Sequence, residues 1–175
     1  MGNPKIYRGN MTDMLVRLYN IKQDVALMDS LASKGVEIKR ALAPDKIKIV
    51  RFIETNTEKH WPKESKESWM SECDAAMSNN PPTCILAVKQ NTILGFACYN
   101  ATGKGFFGPM GVLIEYQGVG IGKALLLKSL LSMWEEGYGY AIIGWPAKEA
   151  IGFYQKTVNA EIIPDSSPSI YSRLV

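Results

Sequence analysis

From residue 83 onward the hydrophobic residues follow a short period, then a long one. TCILAVK (83–89) and TILGFACYNA (92–101), joined at Gln90 and Asn91, predict a hairpin. A third strand from Gly105 to Glu115 follows a turn at Thr102 to Lys104. Leu127, Leu130, Leu131 and Trp134 then recur at i, i+3, i+4 and i+7, with Lys128, Ser132, Glu135 and Glu136 opposite them. That pattern predicts an amphipathic helix ended by Gly137. YAIIGW (140–145) reads as a buried strand, AKEAIGFYQK (147–156) as a short helix, and AEIIP (160–164) and SIYSRLV (169–175) as final strands. Upstream, DMLVRLYNI (13–21) reads as a strand, and Asp24 opens a short helix stopped by Gly35. VEIKRAL (36–42) alternates and predicts a strand. Pro44 and Asp45 suit the first turn of a helix carrying Ile47, Ile49, Val50 and Ile53, which is expected to end near Asn56. TEKHWPKES (57–65) reads as a loop, and ESWMSECDAAMS (67–78) as a second helix closed by Asn79, Asn80, Pro81 and Pro82. The order predicts an α/β fold with a mixed sheet and helices packed on it.

With 175 residues, 46% of them hydrophobic, the chain suits one domain with a full core. The net charge of +3 arises before residue 61, where 11 Lys and Arg face 7 acids; the remainder carries 9 against 10. That imbalance is too weak to indicate nucleic acid. MGNPKIYRGN lacks the apolar core of a signal peptide, Ile6 stands where a myristoylation signal needs Ser or Thr, and no uncharged apolar run reaches spanning length. A soluble cytoplasmic protein without membrane partners is expected. Cys73, Cys84 and Cys98 form no C-x-x-C pair, and His60 is the single histidine, so neither a disulfide framework nor a metal site is expected. No G-x-S-x-G elbow is present, which excludes one route to a hydrolase triad.

The distinctive local feature is QGVGIGKALL (117–126), glycines at alternate positions between a strand and a Leu-rich helix. Such a turn lets successive N–H groups converge at a helix N-terminus, where the dipole favours a phosphate. A dinucleotide fingerprint fails, because Lys123 lies three beyond Gly120 and Leu125 three beyond Gly122. A P-loop fails too, with Gln117 where it needs glycine and Ala124 where it needs a hydroxyl.

Gln117, Gly120 and Gly122 do satisfy Q-x-x-G-x-G, and FYQK (Phe153 to Lys156) follows one strand later. In these two segments the chain resembles the GNAT superfamily of N-acetyltransferases, from about Val36 to Val175, with residues 1–35 an N-terminal strand-helix extension packed on that core. The resemblance implies a mostly antiparallel sheet of about seven strands, splayed between the fourth and fifth core strands. It implies acetyl-CoA as acetyl donor, with its pyrophosphate on Gln117, Gly118, Val119, Gly120, Ile121, Gly122 and Lys123. The pantetheine arm is expected along Met110, Gly111 and Val112, whose backbone N–H groups would also polarise the thioester carbonyl. Gly108, Pro109 and Gly111 are candidates for a bulge where pairing breaks.

Tyr154 is the expected general acid for the departing sulfur. Acetyl transfer to a primary amine is expected to proceed by direct attack through a tetrahedral intermediate. A non-catalytic CoA-binding or partner-binding module is the alternative. Three departures from the family pattern stand out: Ala147 replaces an asparagine, Asn159 replaces the glycine after F-Y-E-K, and the extension lies outside the common core. The acceptor, a small-molecule or protein amine, is expected beneath the 57–65 loop with His60 and Trp61, and Tyr99 is expected to line its pocket. His60, Glu54 and Glu58 are the candidate bases. A homodimer is compatible with this reading.

Overall fold

The computed structural model describes residues 11–175; residues 1–10, read above for the lack of a leader and as the start of the extension, lie outside the described residues. The strands are β1 (Met14–Arg17), β2 (Glu37–Arg40), β3 (Cys84–Lys89), β4 (Thr92–Tyr99), β5 (Phe106–Val112), β6 (Tyr140–Ile143) and β7 (Glu161–Ile162). The helices are α1 (Val25–Ser33), α2 (Lys46–His60), α3 (Lys66–Ser78), α4 (Ile121–Glu135) and α5 (Lys148–Val158). One 7-stranded sheet runs in the order β2-β3-β4-β5-β6-β1-β7, antiparallel except where β5 meets β6.

Local chemistry sets most boundaries. The Asp24 side chain accepts from the Leu27 N–H at 3.0 Å and starts α1, and Gly35 ends it at φ 74°, a conformation that suits glycine. Asn159 closes α5 in the left-handed conformation (φ 51°, ψ 40°), which asparagine tolerates better than most side-chain-bearing residues. α2 runs on to His60 instead of stopping near Asn56. Thr57 continues the buried stripe of Ile49 and Ile53, and its hydroxyl donates to the Ile53 carbonyl at 2.6 Å. The expected 57–65 loop is therefore helical at its start, and Trp61 and Pro62 lead directly into a 3-10 turn at Lys63–Ser65.

Two strand expectations are corrected. SIYSRLV holds a 3-10 turn over Ser169–Arg173 in place of a strand, with Tyr171 packed on Trp145 and Phe106. The position beside β6 is taken by β1, which pairs Met14 with Ile143 on one side and with Ile162 on the other. The N-terminal segment thus supplies an interior strand, which ends at Arg17 and turns at Leu18–Asn20, short of the expected Ile21. α4 also buries more than its predicted stripe: Ala124, Leu125, Leu126 and Met133 join Leu130 in the core, and Ser132, expected on the polar side, is buried too, while Trp134 is 47% exposed.

One core lies between the sheet and α1, α4 and α5, and includes Met14, Tyr99, Leu126 and Tyr154. The other lies under α2 and α3, and includes Ile49, Ile53, Met77 and Phe96. All three cysteines meet in this second core with their sulfur atoms within 4.8 Å of one another, where they pack as small apolar side chains. β5 and β6 pair only at Phe106–Ile142 and Phe107–Ile143, so from Gly108 to Val112 β5 is paired with β4 alone. The register between β4 and β5 shifts between Ala97–Met110 and Tyr99–Phe107, which places the extra residue of a bulge at Gly108 and Pro109.

Candidate functional site

The sheet opens beside β5, and the ladder tells which groups it leaves free. The Leu113 N–H bonds to the Leu94 carbonyl at 2.9 Å, so Gly95 and Val112 form a non-hydrogen-bonded pair. By alternation Phe96 and Gly111 exchange backbone bonds, and Ala97 and Met110 do not. The N–H and C=O groups of Met110 and Val112 therefore face the gap left by β6, while those of Gly111 are engaged with β4. Gln117 folds its side chain back onto this strand, its Nε2 donating to the Val112 carbonyl at 3.0 Å. It braces the turn and does not project from it.

Beyond Gln117 the backbone reverses through Gly118 (φ 77°) and Gly120 (φ 96°), conformations that strain any side-chain-bearing residue. None of the backbone N–H groups from Gly118 through Lys123 has an acceptor among the described residues. Gly118 has no atom within 4 Å of a Cβ built on it, so the approach to these donors is open. The turn fits an anionic phosphate.

One side of the turn is covered by α1. A Cβ at Gly120 would lie 2.5 Å from Leu27 Cδ1, so substitution there disturbs the helix packing as well as any ligand. Lys123 Nζ is 2.7 Å from Asp24 Oδ2, and this bond, with the Leu27 N–H, holds the Asp24 carboxyl below its ordinary range. From Lys123 an open groove of about 520 Å³ continues between Gln23, Leu127, Val158 and Asn159.

The FYQK helix joins the two ends of the site. A Cβ on Gly122 would touch Phe153 Cζ at 3.9 Å, while the Tyr154 ring packs edge-on to Phe107 at 6.3 Å, where β5 and β6 part. Tyr154 is buried, which pushes its phenol up to about 12. Its hydroxyl has no hydrogen-bond partner among the described residues, and so remains available as a donor.

On the opposite face, Trp61 lies across β5. A Cβ at Gly111 would be 2.7 Å from its Cε2, and its Nε1 is buried without an acceptor. Phe52, Trp69 and Phe96 surround the ring at centroid distances of 5.9, 5.6 and 5.8 Å. His60 does not enter this space freely: its Nδ1 accepts the Ile114 N–H at 3.2 Å and lies 3.5 Å from Glu115. With the Lys59–Glu115 pair at 3.2 Å, it fastens α2 to the segment that leads into the glycine turn. Glu54 and Glu58 stand on exposed positions of α2. Tyr99 is in the other core, its hydroxyl bonded to Arg40 and Glu136 and its phenol pushed up to about 12 by burial, so the structure does not bring it to Trp61.

Three residues near the opening went unread in the sequence. Trp145 follows β6 at φ 43° and stacks on Tyr171 at 4.1 Å, with its Nε1 buried and unpaired. Glu72 on α3 accepts a hydrogen bond from Thr102 and is largely buried, which raises its carboxyl. Burial chiefly, then the carboxyls of Asp13 and Glu72, pushes the Tyr171 phenol up. A glutamate beside Cys73 in a predicted amphipathic helix carries no local signal of this role.

Residues 47–159 match the model of the acetyltransferase (GNAT) family. No curated protein matches the chain. Among solved structures, it is similar to a GCN5-related glucosamine N-acetyltransferase region of a fungal multi-domain GH3 β-N-acetylglucosaminidase, with TM-score 0.65 and 12% identity over 87% of this chain and 19% of that one. A GCN5-related N-acetyltransferase from Sphaerobacter thermophilus gives 0.61 and 18% over 87% and 48%. An aminoglycoside acetyltransferase from an uncultured soil metagenomic sample, solved with sisomicin, gives 0.50 and 18% over 71% and 88%. The chain spans less than half the length of the first two.

Proposed function

The chain belongs to the GNAT acetyltransferase family, whose acetyl donor is acetyl-CoA, and from that premise we propose that it is an N-acetyltransferase acting on a primary amine by direct attack. The observation that carries this reading is the convergence of three features on one opening: the uncommitted N–H groups from Gly118 through Lys123, the free edge of β5 at Met110 and Val112, and the unpaired Tyr154 hydroxyl. When bound, acetyl-CoA supplies an activated acetyl thioester.

The turn would hold the pyrophosphate, with Lys123 adding positive charge once it shares or leaves Asp24. Met110 and Val112 would align the pantetheine amides as an added strand does, and the Met110 N–H would polarise the acyl carbonyl. Tyr154 Oη would donate a hydrogen bond or a proton to the leaving sulfur. The acceptor would approach from the α2–α3 face, past Trp61. The aminoglycoside and glucosamine enzymes among the similar folds support a small-molecule amine as acceptor. No described helix is long and apolar enough to cross a membrane, and three free cysteines accord with a reducing compartment such as the cytoplasm.

Calorimetry with acetyl-CoA and release of free CoA thiol across a panel of amines test the reading together. Tyr154→Phe is expected to lower turnover about a hundredfold with acetyl-CoA affinity nearly unchanged. Turnover within about threefold of wild type would remove Tyr154 from the mechanism.

A further inference from the structure

The three cysteines come from distant parts of the chain to one point of the second core. Cys84 on β3 faces Cys98 on β4. The Tyr99 N–H donates to the Thr83 carbonyl at 3.0 Å, so by alternation the cysteines beside that bond form a non-hydrogen-bonded pair, in which facing side chains stand closest. Cys73 meets them from the buried stripe of α3. Each of the three is 0% exposed, and their sulfur atoms lie within 4.8 Å of one another. Three sulfurs bonded to one central atom at about 2.3 Å stand about 4 Å apart, so small side-chain rotations bring this triangle to bonding geometry.

The surroundings select among thiophilic ions. No His, Asp or Glu joins the triangle among the described residues. His60, the single histidine, is engaged with the Ile114 N–H and Glu115, and Asp74, beside Cys73, pairs with Lys46 at 2.9 Å. Zinc takes a fourth ligand, and a buried apolar site offers neither a side chain nor water for it. Ligand number thus favours a three-coordinate, soft centre. Charge narrows the choice. Ile49, Ile53, Leu86 and Phe96 belong to this core, and no Lys or Arg is among the buried residues described. Three thiolates around a monovalent or divalent ion would leave net negative charge there, at high cost, whereas a trivalent centre leaves none.

We propose that Cys73, Cys84 and Cys98 form a binding site for a trivalent thiophile of the arsenite class, one per chain. In arsenous acid three As–O bonds break as three As–S bonds form; each thiol proton leaves with a hydroxyl as water, and no atom changes oxidation state. Because the sulfurs are covered, uptake waits on local opening of α3, and its rate levels off as arsenite rises. α3 also carries Trp69, packed on Trp61, so tryptophan fluorescence reports the uptake.

The full chain, reduced with a phosphine so that no competing thiol is present, is mixed with arsenite. Native mass spectrometry should show one arsenic added and three hydrogens lost per chain, and X-ray absorption at the arsenic edge should show three As–S bonds and no As–O bond. Tm should rise by at least about 3 °C, because the ligand binds the folded chain, and zinc should give no such rise. Cys73→Ala, Cys84→Ala and Cys98→Ala should each weaken uptake at least about a hundredfold, since each removes one of three linked ligands. A fall in Tm means that arsenite binds the thiols of the unfolded chain. That result, an equal rise with zinc, only two As–S bonds, or uptake kept by the variants overturns the proposal. If a variant does not fold, absorption and melting of wild type decide alone.

Discussion

Gly111→Ala puts one methyl group between β5 and Trp61. The new Cβ would lie 2.7, 2.8 and 2.9 Å from three atoms of the indole, where carbon contacts normally begin near about 3.5 Å. Gly111 is outside the left-handed region, so the backbone accepts alanine and the cost is steric alone. Relief requires the ring to move by about 1 Å, against Phe52, Trp69 and Phe96 packed around it. Overpacking of this kind costs about 1–3 kcal/mol, which for a chain of this length lowers Tm by about 3–10 °C. Thermal melting followed by circular dichroism measures it. Gly122→Ala is the control, because its Cβ would meet Phe153 and Val112 at an ordinary 3.9 Å and sits in the first turn of α4, where alanine is the better helix former. In a Trp61→Leu background the penalty at Gly111 should shrink, and the double-mutant cycle isolates the contact. A Gly111→Ala protein melting within about 1 °C of wild type, or one penalised equally without Trp61, would refute the placement of this ring on the opened strand.

Two further outcomes are expected. His60→Ala removes the acceptor for the Ile114 N–H and frees the segment before the glycine turn, so calorimetry should show acetyl-CoA binding weakened severalfold, the reverse of a residue that serves the acceptor alone. The Asp24 carboxyl is held low by Lys123 and then by the Leu27 N–H, so its contribution is fully present above the ordinary carboxylate value of about 4 and is lost as pH falls through its lower folded value. The protection of α1 amides against hydrogen exchange, corrected for the intrinsic pH dependence of amide exchange, should fall in that acid window, and Asp24→Asn should remove the fall; protection equally pH-sensitive in the variant would place the cause elsewhere.

What the sequence determined by itself followed from rules that act over a few residues. Alternate glycines are tolerated where φ is positive, and Gly118 and Gly120 take that conformation at the head of α4. Asp24 and Gly35 bound α1 because a cap needs only its own helix. The short period of 83–101 gave β3 and β4, and the FYQK segment gave the helix that carries Tyr154.

The tertiary structure decided what depends on partners far along the chain. SIYSRLV and MLVR both have strand-like composition, and only pairing partners select between them: β1 takes the place beside β6, and the C-terminal segment turns back to put Tyr171 on Trp145. Thr57 is polar in sequence, where TEKHWPKES reads as a loop, yet its hydroxyl is satisfied inside its own helix and its side chain is buried. Cys98 and Tyr99 are neighbours in β4, and a strand sends neighbours to opposite faces, so one joins the α3 side and the other the α4 side. No local pattern says which. Glu72 and Asp13 are brought near Tyr171 from α3 and from the residue before β1, because their placement depends on long-range packing that no window of the sequence contains.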